Sequence, residues 1–195
     1  MTMAELVLFH HAQGLTPGVL SFAGRLRAAG HRVTVPDLFD RATFDTVDAG
    51  VAHAQQVGLD VIAQRAVDAV ADLPERAVYA GFSLGAMAAQ RLAQTRPGAL
   101  AALLYHGAVP AATFGASWPA GVDLQVHVND RDDWGEPEVC RSLVAEARDA
   151  GARAELFTYD GTSHLFTDES LAVYQPASAA LVLDRTLALL RRWPG

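Results

Sequence analysis

The segment Gly81-Phe82-Ser83-Leu84-Gly85 has the G-x-S-x-G spacing of a serine nucleophile. An apolar run enters it and an alanine-rich run of helical period leaves it, which predicts a strand, a sharp turn and a helix. Such a turn strains the serine backbone and brings strand and helix together, so positions 81 and 85 need small residues. The start of the helix would direct the Leu84 amide toward a developing oxyanion. The pattern therefore predicts attack of Ser83 on an ester-like carbonyl.

A serine hydroxyl needs a base near neutral pH, and His164 follows the last predicted strand, where such a base is expected in this arrangement. His106, which ends an earlier predicted strand, is the main alternative. A carboxylate that orients the imidazole should lie between serine and histidine along the chain. Asp130, Asp132 and Asp133 all follow a predicted strand, and their positions alone do not distinguish them.

Short apolar segments alternate with longer segments of helical period, which predicts an α/β fold with helices on both faces of a parallel sheet. The predicted strands are 6–10, 32–36, 77–82, 101–106, 124–128 and 154–159. The predicted helices are 18–29, 57–73, 84–95, 136–150 and 176–192. Two segments, 40–53 and 107–121, are predicted to be irregular. Phe114 and Trp118 in the second are expected either to wall a ligand pocket or to seal the edge of the core.

Length and composition predict one domain over residues 1–195, since 51% of the chain is apolar and can bury a substantial core. A net charge of -7 without a basic stretch argues against nucleic acid as a partner and favours a small-molecule substrate. No apolar run approaches the roughly 20 residues that span a bilayer, and the N-terminus lacks the basic region of a signal peptide. We therefore expect a cytoplasmic protein. Its single cysteine, Cys140, is expected to be structural.

The chain resembles the dienelactone hydrolase family over nearly its whole length. The resemblance is carried by residues 8–15, 36–39, 81–85, 127–134 and 159–166. It implies the α/β-hydrolase fold, with a single mostly parallel sheet and no large lid domain. The family aspartate follows a strand in a pattern similar to His-x-Gly-x-x-Asp-x-Trp, which places it on Asp132, with Asn129 where glycine is common. The resemblance also places the second oxyanion donor on the Ala12 amide.

Three features depart from the family. Its nucleophile is a cysteine, where this chain has Ser83, and the glutamate near that thiol is replaced by His11, which we expect at the pocket edge. No arginine follows His164 to hold a substrate carboxylate, and Asp168 and Glu169 are expected to repel one. A dienelactone carboxylate is therefore not the expected ligand.

The leading hypothesis is a serine hydrolase that cleaves a small ester, lactone or thioester through an acyl-enzyme on Ser83, without a cofactor or metal and as a monomer or homodimer. Folds do not determine functions, so a non-catalytic ligand-binding or sensor protein on the same fold is the alternative. A metal hydrolase using His10, His11 and the acids at 130–133 is a weaker one, because adjacent strand residues point to opposite faces.

Overall fold

A computed structural model of the chain describes residues 5–115 and 117–193. Six strands in these residues form one sheet in the order β2-β1-β3-β4-β5-β6, and every neighbouring pair is parallel. The strands are β1 (Glu5–Phe9), β2 (Arg32–Thr34), β3 (Ala77–Phe82), β4 (Ala99–Tyr105), β5 (Asp123–Asn129) and β6 (Ala154–Tyr159).

Helices cover both faces of this sheet. They are α1 (Pro17–Ala28), α2 (Val47–Val57), α3 (Leu59–Asp68), α4 (Leu84–Thr95), α5 (Pro137–Asp149) and α6 (Pro176–Leu190), with a 3₁₀ turn at Ala111–Thr113. Buried residues of α1 and α6 pack in one core cluster, and those of α2 to α5 pack in the other. The predicted α/β-hydrolase fold is confirmed.

The strands separate these two clusters because successive side chains point to opposite faces. In β1, Val7 and Phe9 pack with α2 to α5, whereas Leu6 and Leu8 pack with α1 and α6. A parallel strand buried on both faces reads as a continuous apolar run. That is why the strands were recognisable in the sequence, and β3 and β6 have the predicted bounds.

The prediction of an irregular segment over 40–53 is wrong, because α2 begins at Val47. The Thr46 hydroxyl accepts a hydrogen bond from the Ala49 amide at 3.2 Å and caps this helix. The helix predicted over 57–73 is found as the shorter α3, which begins at Leu59 after Gly58 (φ 103°) and ends at Asp68. Gly50 lets α2 approach the loop after β1, since a Cβ there would lie 1.8 Å from the Ala12 carbonyl oxygen.

The carboxyl ends of the strands lie at one edge of the sheet. The registers Phe9↔Gly81, Phe82↔Tyr105 and Tyr105↔His127 align the ends of β1, β3, β4 and β5. The strand order reverses at β1, which lies between β2 and β3, and ligands of open α/β sheets bind at such a switch point. Among the described residues, no helix is both long enough and apolar enough to cross a membrane.

Candidate active site

Ser83 occupies the sharp turn between β3 and α4. Its backbone has φ 52° and ψ -113°, a strained conformation for a non-glycine residue, and its amide donates to the Tyr105 carbonyl at 2.7 Å. Glycine is required at both flanking positions because a side chain there would overlap neighbouring backbone atoms. A Cβ on Gly81 would lie 2.1 Å from the Gly85 carbonyl oxygen, and a Cβ on Gly85 would lie 2.4 Å from that of His10. The turn therefore has the steric requirement expected of the G-x-S-x-G pattern.

A chain of hydrogen bonds connects Ser83, His164 and Asp132. His164 Nδ1 lies 2.7 Å from Asp132 Oδ2, and His164 Nε2 lies 2.7 Å from Ser83 Oγ. An ionised carboxylate only accepts, so Nδ1 carries the proton and Nε2 is left to accept the serine hydroxyl. Both His164 and Asp132 are buried. The geometry is that of a nucleophile, a base and an orienting acid.

The loop after β5 holds the Asp132 carboxylate in place. Its second oxygen, Oδ1, accepts hydrogen bonds from the amides of Trp134 (3.1 Å) and Gly135 (3.0 Å). A Cβ on Gly135 would lie 2.8 Å from Asp132 Oδ2, so glycine leaves room for the carboxylate. Cys140 lies buried beneath this loop and donates to the Gly135 carbonyl, and burial, with the nearby Asp132 charge, raises the pKa of its thiol to about 12.

The other two acids of this loop face away from His164. Asp130 accepts a hydrogen bond from the Gly161 amide at 3.0 Å and lies 3.5 Å from Arg131. Asp133 is exposed. Of the three carboxylates that the sequence left open, Asp132 is the one in contact with His164.

A cleft of about 240 Å³ opens beside Ser83. It is lined by Ala12, Val51, Ala54, Gln55, Leu59, Ser83, Leu84, Met87, His106, Gly107, Ala108, Val109, Trp134 and Glu136. Within the described residues, neither the Ala12 nor the Leu84 amide donates to a side chain or to a loop or turn carbonyl. Two main-chain donors at the cleft wall are thus left for a ligand.

His10 braces the loop that carries Ala12. A buried imidazole can satisfy both nitrogens only as one tautomer: here Nδ1–H donates to the His11 carbonyl at 2.8 Å, and Nε2 accepts the Leu38 amide at 2.9 Å. Burial lowers the pKa of His10 to about 4, so the ring is neutral near pH 7. This bracing was not predicted, since neither bond can be read from spacing in the sequence.

His106, the alternative base, contacts Thr167 instead of the serine. Its Nε2 lies 2.7 Å from Thr167 Oγ1, and its Nδ1 has no partner among the described residues. The ring lies 5.8 Å from that of His164, and burial holds its pKa well below the ordinary value. His106 therefore forms a neutral wall of the cleft behind His164.

The prediction that His11 lies at the pocket edge is wrong. His11 is fully buried, its Nε2 lies 2.8 Å from Asp168 Oδ2, and its Nδ1 accepts the Gln13 amide at 3.2 Å. Asp168 also accepts hydrogen bonds from Thr16 and Ser170. Burial alone would raise the pKa of Asp168, but the hydrogen bonds from His11, Ser170 and Thr16 lower it to about 2.

The expected repulsion of a substrate carboxylate by residues 168 and 169 is not supported by their positions. Asp168 is buried against His11, and Glu169 is paired with Arg25 on the surface. Neither residue lines the cleft beside Ser83.

The two aromatic residues of 107–121 have different positions. Trp118 does not wall the cleft: it is buried in the core, and its indole N–H donates to the Val122 carbonyl at 2.7 Å, so the edge-sealing alternative describes it. Phe114 lines a separate apolar groove next to the cleft.

Some residues of the cleft were not predicted from the sequence. Glu136 lies at its wall with φ 46°, and α2 contributes Val51, Ala54 and Gln55. The capping signal at Thr46 could have revealed α2, whereas nothing in the sequence indicates the conformation of Glu136.

A metal site needs several donor side chains directed at one point. Within residues 5–115 and 117–193, no group of three or more His, Cys, Asp or Glu side chains is placed to hold a metal ion. The Nε2 atoms of His10 and His11 contact the Leu38 amide and the Asp168 carboxylate, and neither ring contacts the acids at 130–133.

Comparison with solved structures shows the same fold at low sequence identity. A dienelactone hydrolase-like promiscuous phosphotriesterase from metagenomic libraries is 21% identical, with a TM-score of 0.76 over 98% of this chain and 87% of that one. A propionate-bound thermophilic esterase from the planctomycete Thermogutta terrifontis is 16% identical, with a TM-score of 0.65 over 97% of this chain and 83% of that one. No curated protein sequence matches this chain.

A family model covers almost the whole described chain. It is the model of the dienelactone hydrolase family, and it matches residues 3–193. The family resemblance predicted from five segments is thereby confirmed. This chain belongs to the dienelactone hydrolase family.

Proposed function

We propose that the protein hydrolyses a small carboxylic ester, lactone or thioester through an acyl-enzyme on Ser83. One observation carries this proposal: the hydrogen-bonded chain from Asp132 through His164 ends at a serine hydroxyl that lines an open cleft. Family membership supports ester hydrolysis.

Acylation begins when Ser83 Oγ attacks the carbonyl carbon. The hydroxyl proton passes to His164 Nε2 as the Oγ–C bond forms, and the carbonyl π electrons move onto oxygen. Asp132 stabilises the imidazolium that results. When the oxyanion collapses, the bond to the leaving alkoxide or thiolate breaks, and that group takes the proton from Nε2.

Deacylation repeats these steps with water. His164 accepts a proton from water, the hydroxide oxygen bonds to the acyl carbon, and the Ser83 ester bond breaks with return of the proton to Oγ. The products are the acid and the free enzyme. Each proton that leaves Nε2 is matched by one that it received.

The amides of Ala12 and Leu84 are the proposed oxyanion donors. Both residues line the cleft next to Ser83, and Leu84 is the first residue of α4, where the helix dipole also favours negative charge. Preorganised donors of this kind typically contribute about 3 to 4 kcal/mol to the transition state. The brace that His10 provides keeps the Ala12 loop in place.

Solved relatives support reactivity toward carbonyl and phosphorus centres. The Thermogutta terrifontis esterase 2 has also been solved in a form phosphoramylated by tabun. Its chain is 18% identical, with a TM-score of 0.62 over 97% of this chain and 83% of that one. A phosphorus electrophile is therefore a suitable probe for Ser83.

The test is covalent labelling with a fluorophosphonate, read by intact-protein mass spectrometry. We expect one adduct, located on Ser83 by peptide mapping and lost in Ser83→Ala. The matched control is Ser142→Ala, which removes an exposed hydroxyl on α5 that donates to the Glu138 carbonyl. Labelling that persists in Ser83→Ala would refute the assignment, and no labelling of the wild type would favour the ligand-binding alternative.

Location and assembly belong to the same proposal. We expect a cytoplasmic enzyme that acts on a small molecule as a monomer or homodimer. Size-exclusion chromatography with light scattering of the purified chain tests the oligomeric state.

A further inference from the structure

A second depression, which we call the α4 groove, runs from the cleft along helix α4. It is lined by Leu59, Ile62, Ala63, Leu84, Met87, Ala88, Arg91 and Phe114. Three of these residues, Leu59, Leu84 and Met87, also line the cleft beside Ser83. The α4 groove is thus continuous with the candidate active site.

The surface of the α4 groove is almost entirely apolar. Leu59 is 51% exposed and Met87 is 36% exposed, although side chains of this size are usually covered. Concave surface lined by apolar side chains is the usual form of a small-molecule site. A hydrocarbon chain would remove this surface from water.

The helix gives the α4 groove its direction and length. Leu84, Met87, Ala88 and Arg91 follow the i, i+3, i+4, i+7 spacing of one helical face. Ser83 caps the helix, so Arg91 lies eight residues farther on, a rise of about 12 Å. Allowing for the reach of the arginine, a chain of about six to ten atoms would connect the two ends.

Arg91 is the charged residue at the far end. Within the described residues, its guanidinium makes no salt bridge and no hydrogen bond to another group. Arg96, which directly follows the same helix, differs, since its guanidinium donates to Tyr79 and to three carbonyls, at Val70, Leu73 and Pro74. The contrast indicates that Arg96 is structural and that Arg91 is available to a ligand.

The position of His164 decides which half of an ester enters the α4 groove. The leaving group must lie near Nε2, which protonates it. The cleft residues beside His164, namely His106 and Trp134, do not line the groove. This separation from His164 favours the acyl side for the groove.

We propose that the α4 groove binds the acyl chain of the substrate and that Arg91 binds an anionic group at the end of that chain. This inference rests on the proposed function. The substrate class is an ester or thioester of a medium-length dicarboxylic acid with one free carboxylate.

The first test compares p-nitrophenyl half-esters of straight-chain dicarboxylic acids with esters of the matching monocarboxylic acids. Arg91→Gln should lower kcat/KM for the half-esters about fivefold, as expected for a partly exposed ion pair. For the neutral esters, kcat/KM should stay within about twofold of the wild-type value. Added salt should weaken the wild-type preference. Arg191→Gln, which removes an exposed arginine after α6, is the control. Equal losses on both ester series, or no loss, would overturn the role of Arg91.

The second test fills the α4 groove. Ala63→Phe places a ring in it, and we expect hydrolysis of octanoyl esters to fall at least tenfold while acetyl esters keep their rate. Val61→Phe is the control, because Val61 is exposed on the same helix and does not line the groove. If Ala63→Phe instead affects acetates of long alcohols, the groove binds the leaving group and the acyl assignment is wrong.

The two proposals fail in different ways. If no ester is cleaved and no fluorophosphonate adduct forms, the proposed function fails. Binding of octanedioate to wild type and Arg91→Gln, measured by calorimetry, then still tests the α4 groove. If esters are cleaved in a Ser83-dependent way but chain length and Arg91 have no effect, only the groove inference fails.

Discussion

Two buried histidine–aspartate pairs occur among the described residues, and they differ at the second nitrogen of the imidazole. In both pairs, a ring nitrogen lies 2.7 to 2.8 Å from a carboxylate oxygen. The remaining nitrogen of His164 faces a serine hydroxyl at the cleft, whereas that of His11 accepts the Gln13 amide inside the protein. Residue types and distances alone thus do not identify a catalytic pair. The proposed catalytic role of the first pair rests on the group opposite the second nitrogen and on the access of that group to solvent.

The carboxylates of the two pairs differ as well. Two backbone amides donate to one oxygen of Asp132 and thereby orient the other oxygen toward the imidazole of His164. Asp168 accepts hydrogen bonds from two hydroxyls besides His11 and joins the segment after β6 to the start of α1. We interpret the first as a positioned acid and the second as a structural crosslink.

The largest expected effect is on catalysis at the first pair. Asp132→Asn should lower kcat by a factor on the order of 10⁴, because the amide no longer selects the tautomer that leaves Nε2 free. Asp130→Asn, at the neighbouring exposed acid, is the control, and its kcat should stay within threefold of the wild-type value. Ester hydrolysis measures both. A comparable loss in the two variants would remove the distinction between these acids.

An intermediate effect, on stability, is expected at the second pair. Asp168→Asn should lower the free energy of unfolding by about 1 to 2 kcal/mol at pH 7 while kcat changes little. Because the folded pKa of Asp168 is lowered to about 2, its contribution is complete above the ordinary value of 3.8 and disappears as the pH falls toward 2.

Urea unfolding of wild type and Asp168→Asn at several pH values measures this difference. The two curves should converge on acidification. Asp72→Asn, at an exposed position, provides the reference. A difference that is the same at pH 7 and pH 3 would contradict the assigned charge of Asp168.

The smallest effect is expected next to the second pair. Glu169→Gln breaks only an exposed pair with Arg25, so stability should change by less than about 0.5 kcal/mol. Since Glu169 does not line the cleft, relative rates on anionic and neutral esters should not change either. A selective gain on anionic esters would show that this carboxylate does face the substrate.

Local patterns in the sequence predicted the parts of the site that depend on neighbouring residues. The turn at Ser83 follows from the glycines on either side of it, and the strands follow from apolar runs that are buried on both faces. The choice among the loop carboxylates was harder to predict from the sequence. The orientation of Asp132 depends on the amides of Trp134 and Gly135, which a turn of the chain brings back to its carboxylate.

The errors lie where tertiary contacts override local pattern. His11 was placed at the pocket because of its neighbour Ala12, but its ring turns toward Asp168, 157 residues away along the chain. Helix α2 was missed because it packs with small residues such as Gly50 and Ala54, which give little apolar periodicity.

The strand order has a consequence for how the chain folds. From β3 onward the sheet grows in one direction, through β4, β5 and β6, and each new strand adds beside the one before it. A chain emerging from the ribosome can therefore enlarge its sheet unit by unit. Ser83, Asp132 and His164 follow β3, β5 and β6, so they enter this sheet in sequence. Under the proposed function, a nascent chain that lacks the segment after β6 would hold the nucleophile without its base, and reactivity would appear only after that segment is made.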